Sequence, residues 1–338
     1  MARIVTGIKP TGVPHLGNYL GMIRPALELA TRHDAYYFVA DYHALNTAPE
    51  PDEVHRLSLV AAATMLALGL DPARTALYRQ SDVPEVFELA TLLATATPKG
   101  LFNRAHAYKA AVEANERRGQ SPDSGVNMGL FTYPLLMAAD ILTPSAELVP
   151  TGRDQRQHLD IARDVATSFN ARLGPVLTVP QGHSDAQVHT VVGTDGRKMS
   201  KSYRNTIPVL ASPDDLRKAV MSIVTDSRPV EAVKDPEQDT VFGLFELLAP
   251  PHEVERLREG YLAGGLGYGK AKHALFEILV ETFAEARERF VELMAAPDEV
   301  GRILDHGAQQ VRQHARRTLE QARDAIGIRP LARQAANQ

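Results

Sequence analysis

The sequence predicts an α/β fold: a parallel sheet wound on both faces by helices, followed by a smaller all-helical unit. Three observations predict it. Short apolar runs alternate with longer helical patterns through the first half of the chain, as βαβ units require. After Ser202 the strand signals fade, and prolines from Pro208 to Pro297 punctuate a series of helices. The length of 338 residues is long for one core and comfortable for two.

Strands are expected at 3–8, 35–40, 76–80, 147–150 and 188–192. Between them, 16–31, 52–68 and 153–171 carry apolar residues at three- and four-residue steps, the spacing of amphipathic helices. The resulting class is a Rossmann-like doubly wound parallel sheet with a smaller C-terminal all-helical domain. Its helices are expected at 214–223, 254–262, 270–295 and 298–326, and the polar stretch 329–338 reads as a frayed tail. On the last helix Arg312, Arg316, Arg317 and Arg323 lie close together, either as a solvated charged face or as phosphate contacts. An open parallel sheet binds ligands outside the carboxyl ends of its strands, so the loops after those strands should hold the chemistry.

Composition narrows that chemistry. Cysteine is absent, which excludes disulfides, thiolate nucleophiles and cysteine-ligated metals. The net charge of −4 argues against a protein that coats nucleic acid non-specifically, but leaves room for a local basic surface. No apolar run approaches the ~20 residues of a membrane span. The N-terminus runs straight into a strand without the parts of a signal peptide, so a cytoplasmic location is expected.

The first chemical constellation is the stretch from Gly7 to Asn18, GIKPTGVPHLGN, at the turn from the first strand into the first helix. Glycines permit close backbone approach, and a helix N-terminus offers free N–H groups with partial positive charge, which suits phosphate. His15 and Asn18 share one face of the opening turn. Read alone, such a stretch is equally a plain turn. The second constellation, Gly196 to Ser202 (GRKMSKS), is a short basic loop beyond the last expected strand. Its lysines can neutralise a triphosphate and then a leaving pyrophosphate.

Lys198-Met199-Ser200-Lys201-Ser202, following a sheet that opens with His15-Leu16-Gly17-Asn18, resembles the paired signatures of class I aminoacyl-tRNA synthetases, which together hold the phosphates of ATP. The fourth position of the first signature is Asn18 where the general pattern has His. The tryptophanyl branch of the family resembles this version. Asn18 still donates through its amide but carries no charge. Lys9 stands where many relatives carry an uncharged amide. By this resemblance Lys9, Thr11, Gly17 and Asn18 contact ATP together with Lys198, Met199, Ser200, Lys201 and Ser202. Catalysis is expected from Lys198, Lys201, His15, Asn18 and Lys109, the last aligning with a mobile lysine that approaches ATP.

The amino-acid side rests on 130–142, LFTYPLLMAADIL. On a helix Tyr133, Met137 and Asp140 line one face. A carboxylate on an apolar face costs several kcal/mol unless something donates to it. An aromatic ligand with an N–H would supply the donor while its ring packs on the thioether. The segment resembles the Tyr-Pro-x-Leu-Met-Ala-Ala-Asp signature of the tryptophanyl branch, whose aspartate reads the indole nitrogen and whose tyrosine contacts the substrate amino group. Asp41-Tyr42-His43-Ala44 resembles an element beside the same pocket, which adds His43, and Gly7 is expected there too.

At a strand end and helix start, Gly152 and Asp154 are expected to meet ATP, and Gln155 the α-ammonium group. The structural alternative for Asp154 is an N-cap. The resemblance implies a catalytic unit over 1–204, an anticodon-reading helical unit over 205–328, L-tryptophan and tRNA as substrates, and a homodimer. No His/carboxylate cluster has metal-ligand spacing, so no protein metal site is expected and Mg²⁺ should ride on the phosphates of ATP.

Overall fold

The apolar runs expected near the N-terminus become the parallel strands β1 (Arg3–Ile8), β2 (Asp34–Val39) and β3 (Thr75–Arg79). The computed structural model describes residues 1–47, 50–150, 156–183, 191–329 and 331. β4 (Leu148–Pro150) and β5 (Gln181–His183) complete a five-stranded parallel sheet in the order β3-β2-β1-β4-β5. All of β2 except Asp34 is buried, because helices cover both faces, and a strand covered twice reads as a continuous apolar run.

The fifth strand is not the one the sequence predicts. The expected strand 188–192 lies largely outside the described residues, and Val192 makes only an isolated antiparallel bridge to Lys198. β5 is Gln-Gly-His, a sequence with no apolar alternation, held to β4 through backbone pairing at Leu148, Val149 and Pro150.

The helix expected over 16–31 is present in three parts: α1 (Leu16–Asn18), a π-helical segment Tyr19–Ile23, and α2 (Arg24–Ala30). Pro25 has no N–H to bond the carbonyl four residues earlier, and the wider turn lies just ahead of it. Next come α3 (Asp41–Ala44), α4 (Pro51–Ala67), α5 (Glu85–Ala94), α6 (Lys99–Phe102), α7 (His106–Arg117), α8 (Met128–Leu142) and α9 (Arg156–Leu173).

The second half contains α10 (Pro213–Met221), α11 (Thr240–Glu246), α12 (Pro251–Ala263), α13 (Tyr268–Thr282), α14 (Ala284–Ala295) and α15 (Pro297–Ile326). The single helix expected over 270–295 is therefore two. Phe283 breaks it at φ −108°, ψ 14°, and its buried ring packs edge-on against Tyr19 at 4.8 Å.

Packing divides this half. Leu216, Val220, Phe242, Tyr261, Leu275 and Leu279 of α10–α13 share a core with Leu16 and Leu20. The last two helices instead join the sheet: Leu293, Val300 and Leu304 pack on one face and Ala308, Val311, Ala315 and Leu319 on the other. α15 thus wraps the edge strand β3, which would otherwise expose unpaired backbone groups. Gly307 permits the approach, since a Cβ there would stand 2.1 Å from the carbonyl oxygen of Leu77. Among the described residues no helix is long and apolar enough to cross a membrane.

Candidate active site

The strand order reverses between β1 and β4, which makes that gap the switch point of the sheet. A cavity of about 840 Å³ opens there, lined at the strand ends by Gly7, Ile8, Val149 and Pro150. Gly7 is required by close packing: a Cβ on it would meet the Phe38 ring at 2.5 Å.

On one side of the cavity the two signature loops are stitched to each other. His15 caps α1, and its Nδ1 accepts from the Asn18 backbone N–H at 3.2 Å while Asn18 Oδ1 accepts from the His15 N–H at 3.2 Å. Burial, followed by the charge of Lys201, lowers the His15 pKa to about 4. The ring is therefore neutral at physiological pH, and with Nδ1 accepting, its proton sits on Nε2 as a donor. The Gly17 N–H meets Met199 Sδ at 3.3 Å, and Lys201 Nζ donates to the Thr11 carbonyl at 2.8 Å. Contacts spanning 182 and 190 residues thus bring the predicted motifs together.

Lys9, Thr11, Gly17, Asn18, Lys198 and Met199 line the cavity. Burial lowers the pKa of both Lys9 and Lys201. Ser200 caps the short turn Lys201–Tyr203, its hydroxyl accepting from the Ser202 N–H at 3.3 Å. Sequence reasoning missed the residue that shapes this loop. Asn205, 2% exposed, accepts from the Ser200 N–H at 2.8 Å and donates to Asp195 at 2.6 Å and to the Lys198 carbonyl at 3.1 Å. That donation is the main reason the Asp195 pKa falls to about 2.

On the other side lies a buried polar network. Asp140 is 2% exposed and accepts from His43 Nε2 at 2.9 Å. Gln80 Nε2 donates to both carboxylate oxygens, each at 2.9 Å. Donors that burial demands are therefore already supplied by the protein itself, where the sequence pointed to a ligand N–H. Two donor groups leave acceptor capacity on a carboxylate, which offers about four lone-pair sites. Burial raises the Asp140 pKa, while His43 and Gln80 oppose the rise. Asp140 does not itself line the cavity; His43, Met137 and Ile141 beside it do. Tyr133 also lines it, its hydroxyl 2.7 Å from His158 Nε2. Gln80 had no motif to announce it and was missed.

Other expected residues fall elsewhere. Gly152, Asp154 and Gln155 lie outside the described residues. Lys109 is exposed on α7 and does not line the cavity, although Ala107 of the same helix does. Arg312 and Arg316 donate to Glu85 at 3.0 and 3.2 Å, and Arg323 to Glu88 at 2.5 Å. Three of the four arginines considered as phosphate contacts are thus engaged in fastening α15 to α5.

Comparison with known proteins gives a consistent result. The family described as tRNA synthetases class I (W and Y) matches residues 1–284. The chain is 48% identical over 332 residues to a tryptophan–tRNA ligase of Neisseria meningitidis, covering 97% of this chain and 98% of that one. It is also 48% identical over 335 residues to a tryptophan–tRNA ligase of Pseudomonas aeruginosa, covering 97% of this chain and 74% of that one. The crystal structure of tryptophanyl-tRNA synthetase from Campylobacter jejuni complexed with ADP and tryptophan superposes with a TM-score of 0.88 at 41% identity, covering 96% of this chain and 99% of that one.

Proposed function

We infer the activity from one premise: the chain belongs to the class I tRNA synthetases of the tryptophan and tyrosine group. Within that group it is a tryptophan–tRNA ligase, which activates L-tryptophan with ATP and transfers it to tRNA. The observation that carries this reading is the joining of the two signature loops at the switch point, with His43 of the Asp140 network lining the same cavity.

In the first step a tryptophan carboxylate oxygen attacks the α-phosphorus of ATP. The new P–O bond gives tryptophanyl-adenylate, and the bond to the bridging oxygen breaks to release pyrophosphate. No protein nucleophile is needed, so the work of the protein is positioning and charge stabilisation. We assign the phosphate contacts to His15, Asn18, Lys198 and Lys201, with Lys9, Thr11, Gly17, Met199, Ser200 and Ser202 around them. Neutral His15 would donate through Nε2, and the lysines would follow the charge as it moves onto pyrophosphate. Mg²⁺ would bind chiefly through the phosphates of ATP.

We assign the indole N–H to Asp140, the ring to Met137 and His43, and the amino group to Tyr133. Gly7 lines the same end, and Gln155, Gly152, Asp154 and Lys109 keep the roles their motifs imply. In the second step a hydroxyl of the terminal adenosine of tRNA attacks the acyl carbon and AMP leaves. We further propose that 1–204 forms the catalytic unit, that 205–328 reads the anticodon, that the enzyme is a cytoplasmic homodimer, and that tRNA spans both subunits.

The test is pyrophosphate exchange into ATP with each of the twenty amino acids in turn. Exchange with tryptophan alone is the expected result. Exchange driven by tyrosine would overturn the tryptophan assignment, and exchange with no amino acid at all would overturn the activity.

A further inference from the structure

We propose that Gln80 is a specificity-determining positioning residue, which aims the Asp140 carboxylate at the indole N–H. The inference rests on the assignment of Asp140 above and extends it to a residue outside every signature motif.

Gln80 is the first residue past β3 and is fully buried. Its Nε2 sits 2.9 Å from both oxygens of Asp140, a bifurcated donation that fixes the carboxylate plane, while His43 reaches only Oδ2. The turn carrying Gln80 is pinned on both sides. Ser81 donates to Asp41 through its hydroxyl at 2.5 Å and its N–H at 3.2 Å, and Arg79 grips Asp82 at 2.7 and 2.8 Å. Among the described residues the buried amide oxygen of Gln80 has no hydrogen-bond partner. The opposite amide orientation would set that oxygen against two carboxylate oxygens, so the donor must face Asp140. An unpaired buried acceptor is a penalty that packing alone would remove with an apolar residue. Its presence marks the amide as kept for its donor.

The groups facing Asp140 are His43 and Asp41 from α3, and Tyr78 and Gln80 from β3 and its following turn. Burial and Asp41 raise the Asp140 pKa; His43 and Gln80 lower it. Loss of the Gln80 donor therefore favours the protonated carboxyl, a poorer acceptor, and increasingly so as pH falls.

The experiment compares full-length wild type, Gln80→Met, Gln80→Asn and Asp140→Asn in pyrophosphate exchange. The substrates are tryptophan and its sulfur isostere 3-benzothienylalanine, which lacks the N–H, from pH 6 to pH 8.5. Both Gln80 variants are expected to raise the KM for tryptophan about tenfold, more at pH 6 than at pH 8.5, while the KM for the isostere and the kcat for both stay within about twofold. Turnover of the isostere doubles as the check that each variant folds. If Asp140→Asn loses the preference for tryptophan and neither Gln80 variant does, the role of Gln80 is overturned. If Asp140→Asn itself keeps the preference, the assignment of Asp140 fails first. A variant that raises both KM values equally makes Gln80 a packing residue and also overturns the proposal.

Discussion

The two ends of the cavity are built on opposite principles. At the recognition end Asp140 is 2% exposed and Gln80 fully buried, and each carboxylate oxygen already has a donor from the protein. At the phosphate end the Lys201 side chain stays largely exposed, although its ammonium is partly desolvated where it rests on the Thr11 carbonyl. A fixed, desolvated acceptor discriminates between ligands, because any analogue without the matching donor leaves it unpaired. A reachable cation neutralises charge that appears and moves during the reaction, and a neutral carbonyl is a placeholder that a phosphate oxygen readily replaces. Discrimination is built here from fully buried groups, and charge stabilisation largely from more accessible lysines.

The sharpest way to break this separation is Lys201→Ala. Removing one group that stabilises transition-state charge costs roughly 10²–10³ in rate, so exchange should fall by that factor while the KM for tryptophan holds. Thermal unfolding should shift little, since an exposed side chain with one carbonyl contact contributes little to stability. A rise in the tryptophan KM as large as the loss in rate would mean that the two ends are not independent.

Asp140→Asn tests the other end. A hydrogen bond to a charged group is worth about 1.5–3 kcal/mol, which corresponds to roughly 10- to 150-fold in kcat/KM for tryptophan. The KM for ATP should stay unchanged, because the phosphate loops make no contact with this network among the hydrogen bonds described. Steady-state exchange with each substrate varied in turn separates the two quantities. Unchanged tryptophan kinetics would remove Asp140 from the recognition site.

What the sequence reveals about these ends follows the range of the interactions that build them. β1, β2 and β3 are legible because burial writes a short apolar stretch into each, longest in β2, where every residue after Asp34 is buried. The lysines of 198–201 and the turn at His15 are legible because glycine, proline and charge cluster within a few residues. Gln80 is not, since a lone glutamine 60 residues from Asp140 leaves no local pattern. The arginines of α15 mislead for the same reason: their partners Glu85 and Glu88 lie more than 220 residues away. β5 escapes because Gln-Gly-His, three residues that join the sheet through backbone pairing to β4, carries no apolar alternation to announce a strand.

The smallest expected effect concerns His15, which belongs to the phosphate end by position but is buried like the recognition end, at 7% exposure. Its pKa falls from the usual 6.5 to about 4 in the folded protein, chiefly through burial. The unfolded chain therefore binds this proton more readily than the folded one. The linked stability is fully present above pH 6.5 and drains away as pH falls toward 4. Above about pH 7.5 His15 should contribute almost no pH dependence to unfolding, and the dependence should set in as pH falls through 6.5. Imidazole ¹⁵N shifts should report a neutral ring protonated on Nε2 from pH 8 to pH 6.5, since Nδ1 accepts from the Asn18 N–H. A ring that titrates near pH 6.5, or carries its proton on Nδ1, would mean that the α1 cap is open in solution. His15 would then stabilise phosphate as a mobile cation, like Lys201, and the boundary between the two building principles would have to move from the helix cap to the sheet edge.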